Sequence, residues 1–161
     1  MYVLDWWLAL PWPPPVRGWW LKRFGATVGA GAVVHRCHFA NLEVVGFRAL
    51  SIGAGAHVGP ECLIDLADAV RIGGQAALSP RVMILTHEEP ASSELSERYP
   101  RRQGPVTIGD HAWIGAGATI LHGVTVGASA VVGAASLVRT DVEAGSTVAG
   151  VPAKAISESQ P

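Results

Sequence analysis

The sequence predicts an all-β solenoid: a parallel β-helix of stacked coils, each built from three six-residue turns. Three observations predict it. From Ile108 an aliphatic residue returns every six positions, at Ile114, Ile120, Val126, Val132 and Val138. The next position is small in most hexads (Gly109, Gly115, Gly127, Gly133), and a small or aliphatic residue sits four positions after each aliphatic one, as at Ala112, Ala118 and Ala130. The same register runs upstream, through Ile52, Val58, Ile64 and Val70, then through Ile72, Leu78 and Ile84 after a two-residue offset, from a start at Val28 and Val34. A six-residue period fits neither a 3.6-residue helix nor plain alternation; it fits a short strand and a tight corner, repeated. Each aliphatic residue then points into a triangular prism, and the small residue beside it lets the chain turn. Three hexads close one coil of about eighteen residues, and coils bury their inward faces only by stacking.

Residues 1–24 precede the repeat and form an N-terminal segment. They hold five of the six tryptophans (Trp6, Trp7, Trp12, Trp19, Trp20) and the run Pro13-Pro14-Pro15. Proline fixes φ and removes donors, so this stretch is extended before a short helix over Val16–Phe24, closed by Gly25. Two roles suit it. A β-helix exposes its terminal coil, and a terminal element must cover that end. Alternatively, Trp beside Arg17, Lys22 and Arg23 suits peripheral contact with a membrane interface. The β-helix domain occupies 25–156. It is broken by the polar segment HEEPASSELSERYPRRQG, residues 87–104. An insertion of that length in a solenoid leaves the coil as an extruded loop, and such loops commonly carry function. The repeat resumes at Pro105-Val106, and 157–161 reads as a tail.

Composition narrows the classes. Hydrophobic residues make up 49% and charged residues 16% of 161, which suits one packed domain. The net charge of −1 offers no basic excess, so no nucleic-acid partner is expected. Cys37 and Cys62 form neither a metal pattern nor a disulfide framework, and a reduced, cytoplasmic protein is expected. No apolar run approaches the length of a membrane span. Met1–Leu10 is apolar but contains Asp5 and lacks a basic start, so it does not read as a signal peptide.

Three segments carry a resemblance. These are PVTIGDHAWIGAGATILHGVTVGASAVVGAASLVRTDVEAGSTVAGVPAK (Pro105 to Lys154), THEEP (Thr86 to Pro90) and GWWLKRFGATVGAGAVV (Gly18 to Val34). Together they resemble the hexapeptide-repeat acyltransferases, in particular the maltose, galactoside and nodulation acetyltransferases and the O-acetyltransferases of exopolysaccharide synthesis. The resemblance implies a left-handed coil, an exception to the right-handed crossovers of about 98% of parallel folds. It also implies a homotrimer with active sites between chains, acetyl-CoA as donor, no metal, and a hydroxyl of a sugar or saccharide as acceptor.

Carried over residue by residue, the resemblance makes His87 the general base. The chemistry suits that role: a neutral hydroxyl is a weak nucleophile, and an imidazole can take its proton at neutral pH. The plainer alternative is a solvated loop histidine. Trp113 matches a tryptophan near the donor site and packs either against the pantetheine arm, against the loop, or as a corner aromatic shielding the prism. Gly115 and Ala116 would line the thioester end of the groove; the family often has Ser where Ala116 stands. Gly133, Ala134 and Ala135 would line the pantetheine channel. Arg139 and Lys154 are candidates for the CoA phosphates or ordinary solvated charges; the family commonly shows Thr-Lys where this chain has Arg139-Thr140. On the acceptor side, the sugar-binding residues of the galactoside enzymes fall on Gly59 and Ala67 and do not carry over. Asp65, Asp68 and Glu88 are the substrate-side candidates. Asp65, Asp68 or Glu61 could instead orient His87 or serve a corner turn, and Glu88 and Glu89 could raise its basicity.

Three other functions compete. A zinc enzyme of the γ-carbonic-anhydrase type needs two histidines five positions apart; among His35, His38, His57, His111 and His122 no such pair occurs, and His111 and His122 are eleven apart. N-acyl transfer to an amino sugar would use the same base and groove. A catalytically silent scaffold needs neither.

Overall fold

The computed structural model of the chain describes residues 13–91 and 94–156. Trp6, Trp7, Trp12, the Met1–Leu10 stretch and the 157–161 tail lie outside these. Helix α1 (Pro14–Arg23) comes first. It starts two residues earlier than the sequence suggests, because Pro14 and Pro15 occupy the first turn, where a missing amide costs nothing. Phe24 caps it and Gly25 turns the chain away at φ +104. Its buried residues include Gly18 and Leu21, and α1 lies against the first two strands of the first coil.

Five coils follow. The first holds β1 (Thr27–Val28), β2 (Val33–Val34) and β3 (His38–Ala40); the second β4 (Leu50–Ile52), β5 (His57–Val58) and β6 (Leu63–Asp65); the third β7 (Val70–Ile72), β8 (Ala77–Leu78) and β9 (Met83–Ile84). The extruded loop is closed at its base by a hairpin of β10 (His87–Glu88) and β11 (Arg102–Gln103). The fourth coil holds β12 (Val106–Ile108), β13 (Trp113–Ile114) and β14 (Thr119–Ile120); the fifth β15 (Thr125–Val126), β16 (Val131–Val132) and β17 (Leu137–Val138). The described residues close with β18 (Thr147–Gly150) and an antiparallel β19 (Ala153–Ala155).

The coils stack as three parallel sheets: β1-β4-β7-β12-β15, then β2-β5-β8-β13-β16-β18 extended by β19, then β3-β6-β9-β14-β17. The six-residue period becomes a set of ladders. Ile52, Ile72, Ile108 and Val126 stack on the first face, Leu78, Ile114 and Val132 on the second, and Ile84, Ile120 and Val138 on the third. All ten are buried, and each such side chain contributes about 1.5–3 kcal/mol by leaving water. The two-residue offset in the repeat also finds its place. Leu50, Val70 and Val106 form a second ladder on the first face, and the step from Ile64 to Ile72, which contains the corner Leu66–Ala69, is two residues longer than the equivalent step from Ile120 to Val126. That longer corner lies beneath His87. Cys37 and Cys62 are buried free thiols that donate to main-chain carbonyls of the same prism edge.

Candidate active site

Asp65 ends β6 and is 1% exposed. Its Oδ1 accepts from Asn41 Nδ2 at 2.6 Å and from the Ala67 amide at 3.1 Å. Its Oδ2 accepts from the Thr86 amide and the Thr86 hydroxyl, both at 2.9 Å, and from His87 Nδ1 at 2.6 Å. Burial alone pushes this carboxyl up. The donors Asn41, His87, Ala67 and Thr86 outweigh burial and hold its pKa down at about 2. Asp65 is therefore ionised at neutral pH and can only accept. The proton between the two residues belongs to His87 Nδ1, which leaves the lone pair on Nε2. The imidazole side chain is 23% exposed, so it is held by its surroundings and still reachable.

The rest of the cluster fixes that ring. Thr86 is fully buried, and its hydroxyl accepts the Asp68 amide at 3.0 Å. Gln103 stands opposite His87 in the β10–β11 hairpin. Its Nε2 donates to the Ala67 carbonyl at 3.1 Å and to Asp68 Oδ2 at 3.3 Å, which ties the loop base to the longer corner. The Gly104 amide adds a bond to the Thr86 carbonyl. Of the acids that could orient the histidine, Asp65 is the one that meets the ring. Glu61 pairs instead with Arg81 at 3.0 Å on another edge of the prism. Because all its described donors are internal, Asp65 has the geometry of an orienting group rather than of a sugar ligand. Asp68 is half-buried, with Oδ1 accepting from the Ala69 amide. Glu88 points away from Asp65 to Arg102 and to His122 Nε2, at 3.9 and 3.3 Å. Glu89 pairs with Arg101. Asn41 and Gln103 carried no signal in the sequence, since each acts through a neighbour distant along the chain; Thr86 opens the THEEP segment, but its bonds to Asp65 are not legible there.

The donor-side candidates occupy a different edge. Gly115, Ala116, Gly133, Ala134 and Ala135 line the corner between the second and third sheets. The two glycines are demanded by the fold itself: a Cβ on Gly115 would lie 2.5 Å from the Ala134 amide nitrogen, and one on Gly133 2.8 Å from Ala149 Cβ. Ala116, Ala134 and Ala135 are exposed. Ala116 faces a shallow pocket with Pro60, Pro80 and Arg81. Trp113 is 55% exposed on the second sheet and its indole N–H donates to Ser79 Oγ at 3.1 Å. Arg139 is an exposed residue of the corner after β17. Lys154 lies on β19 in a cleft that also holds Thr140, Asp141 and Glu143. Within one chain the third sheet separates the edge bearing His87 from the edge bearing Ala116 and Ala134.

The sequence profile for bacterial transferase hexapeptides (six repeats) matches residues 105–140. Nodulation protein L of Rhizobium meliloti (strain 1021) is 39% identical, the match covering 85% of this chain and 82% of that protein. The chain belongs to the hexapeptide-repeat acetyltransferase family. Another member, the galactoside O-acetyltransferase of Escherichia coli (strain K12), is 31% identical over 86% of this chain and 66% of its own length. The solved structure of a galactoside acetyltransferase in complex with coenzyme A superimposes with a TM-score of 0.82 at 28% identity, covering 99% of this chain and 78% of that one. The hexapeptide-repeat acetyltransferase described here is thus an enzyme rather than a silent scaffold. Among its described residues, no group of three or more His, Cys, Asp or Glu is arranged to hold a metal ion.

Proposed function

We propose that the enzyme moves an acetyl group from acetyl-CoA to a hydroxyl of a sugar or saccharide, with His87 as general base. The observation that carries this is the 2.6 Å contact between His87 Nδ1 and a buried, ionised Asp65. In the reaction, Nε2 takes the hydroxyl proton as the oxygen attacks the thioester carbonyl. The new C–O bond forms, the C–S bond breaks, and the imidazolium returns its proton to the departing CoA thiolate. Asp65 stabilises the transient imidazolium and holds the productive tautomer, as a buried carboxylate does in hydrolase triads. No acyl-enzyme is needed.

The donor is read from the relatives, one of which was solved with coenzyme A. In this reading Trp113, Gly115, Ala116, Gly133, Ala134 and Ala135 line the CoA groove, and Arg139 and Lys154 reach its phosphates. Asp68 and Glu88 stand on the acceptor side. Since base and groove occupy different edges of one prism, the groove serving His87 comes from a neighbouring chain, and the assembly is a homotrimer of left-handed β-helices working in the cytoplasm. His87→Ala should lower acetyl transfer, followed by thiol release from acetyl-CoA with a panel of saccharides, by about 10²–10⁴-fold. It should leave the oligomer intact by light scattering. Near-wild-type turnover would sink the assignment.

A further inference from the structure

Helix α1 covers the first coil with Gly18 and Leu21, yet it leaves its aromatic residues in a continuous outward run. The Trp19 and Trp20 rings lie 5.0 Å apart edge to face, Trp20 stacks on Phe24 at 5.7 Å, and Phe24 rests 6.4 Å from the buried Phe47, which anchors the run to the core. Trp19 is 58% exposed and Phe24 41%. Val44 and Val45, which lead into the short turn carrying Phe47, are exposed as well. A soluble protein rarely leaves so many large apolar groups in one place without a use.

The charge around this patch is one-sided. Between Pro13 and Leu50 the exposed cations Lys22, Arg23, Arg36 and Arg48 stand against a single acid, Glu43, in a chain whose net charge is −1, while Arg17 is buried. Lys22 and Arg23 form the last turn of α1, and the Arg48 side chain lies against Gly25, beside Phe24. No helix among the described residues is long and apolar enough to cross a membrane.

We infer that this end of the prism docks on the surface of a bilayer containing anionic lipid. Trp19 and Phe24 enter the headgroup boundary, and Lys22, Arg23 and Arg48 meet the negative surface. A neutral or basic partner would gain nothing from this ring of cations. The geometry has a consequence for the acceptor, which rests on the saccharide reading above. His87 follows the third coil, two strand spacings or about 10 Å from the first. A docked enzyme would hold its base that far above the first coil, within reach of a saccharide attached to a lipid headgroup.

The test is co-sedimentation of the full chain with vesicles of phosphatidylcholine, with and without phosphatidylglycerol; it is independent of acetyl transfer. The protein should pellet with the anionic vesicles and be released by salt. K22E/R23E should weaken binding at least about 30-fold. Trp19→Ala should weaken it while the oligomer stays unchanged, and both variants should keep wild-type turnover of a soluble acceptor. The inference is overturned by absence of binding to the anionic vesicles, or by equal binding to neutral ones. It is also overturned if K22E/R23E and Trp19→Ala bind like wild type, or if Trp19→Ala alters the oligomeric state, which would mean that a second copy covers the patch.

Discussion

Asp65 sets the chemistry of its neighbour by being unable to donate. Replacing it with Asn supplies an amide that can donate to Nδ1, which moves the ring proton to Nε2 and removes the lone pair that the proposed base uses. Asp65→Asn should therefore lower kcat by about 10²–10⁴-fold. A variant with turnover within a few-fold of wild type would show that the tautomer is set elsewhere. The same carboxylate also links stability to pH. Its pKa of about 2 in the folded chain lies below the unfolded value of about 3.9. It thus adds about 2 kcal/mol above pH ~5, and that stabilisation disappears as the pH falls through about 2. Urea denaturation at neutral and acid pH should show the gap between wild type and Asp65→Asn closing on acidification. Asn41 acts one step further out, through its 2.6 Å bond to Oδ1. Asn41→Ala leaves a buried carboxylate short of one donor and should cost about 1–3 kcal/mol.

At the level of the element, the unit is a corner stacked on a corner. The Gly115 corner packs so closely on the next coil that a single methyl has no room. Gly115→Ala forces the fourth and fifth coils apart and should destabilise by about 1–3 kcal/mol, read as a lower thermal midpoint. An unchanged midpoint would mean that the stacking is looser than the 2.5 Å approach implies. This glycine was legible in the sequence as the small residue that lets the chain turn and as a candidate for the cofactor groove; the close approach of the next coil adds a reason from inside the fold. The β10–β11 hairpin teaches the opposite lesson. The polar run from His87 to Gly104 marks a departure from the coil, while nothing in its composition reveals that Gln103 returns to face His87 and grips the Asp68 corner.

For the whole molecule, the proposed trimer makes a prediction that a single-chain site cannot meet. His87→Ala keeps an intact donor edge, and a blocking Ala134→Glu keeps an intact His87. Each alone should be inactive. Co-expressed in equal amounts, they should recover about a quarter of wild-type activity, because one interface in four joins a good base to a good groove. Absence of recovery from mixed oligomers would put base and groove in one chain.

The six-residue period was enough to specify the coil and its ladders, because each depends on residues near in sequence and repeated many times. His87 was legible only through its resemblance to relatives. Its partner was not: three acids of the same stretch, Glu61, Asp65 and Asp68, look alike along the chain. Stacking separated them, carrying Glu61 to another edge and Asp65 inward beneath the ring, with Asn41 from one coil and Thr86 from another closing over it. Contacts between coils join residues a full turn or more apart in sequence, as Asn41 and Thr86 are from Asp65, and which carboxylate is stripped of water is decided there.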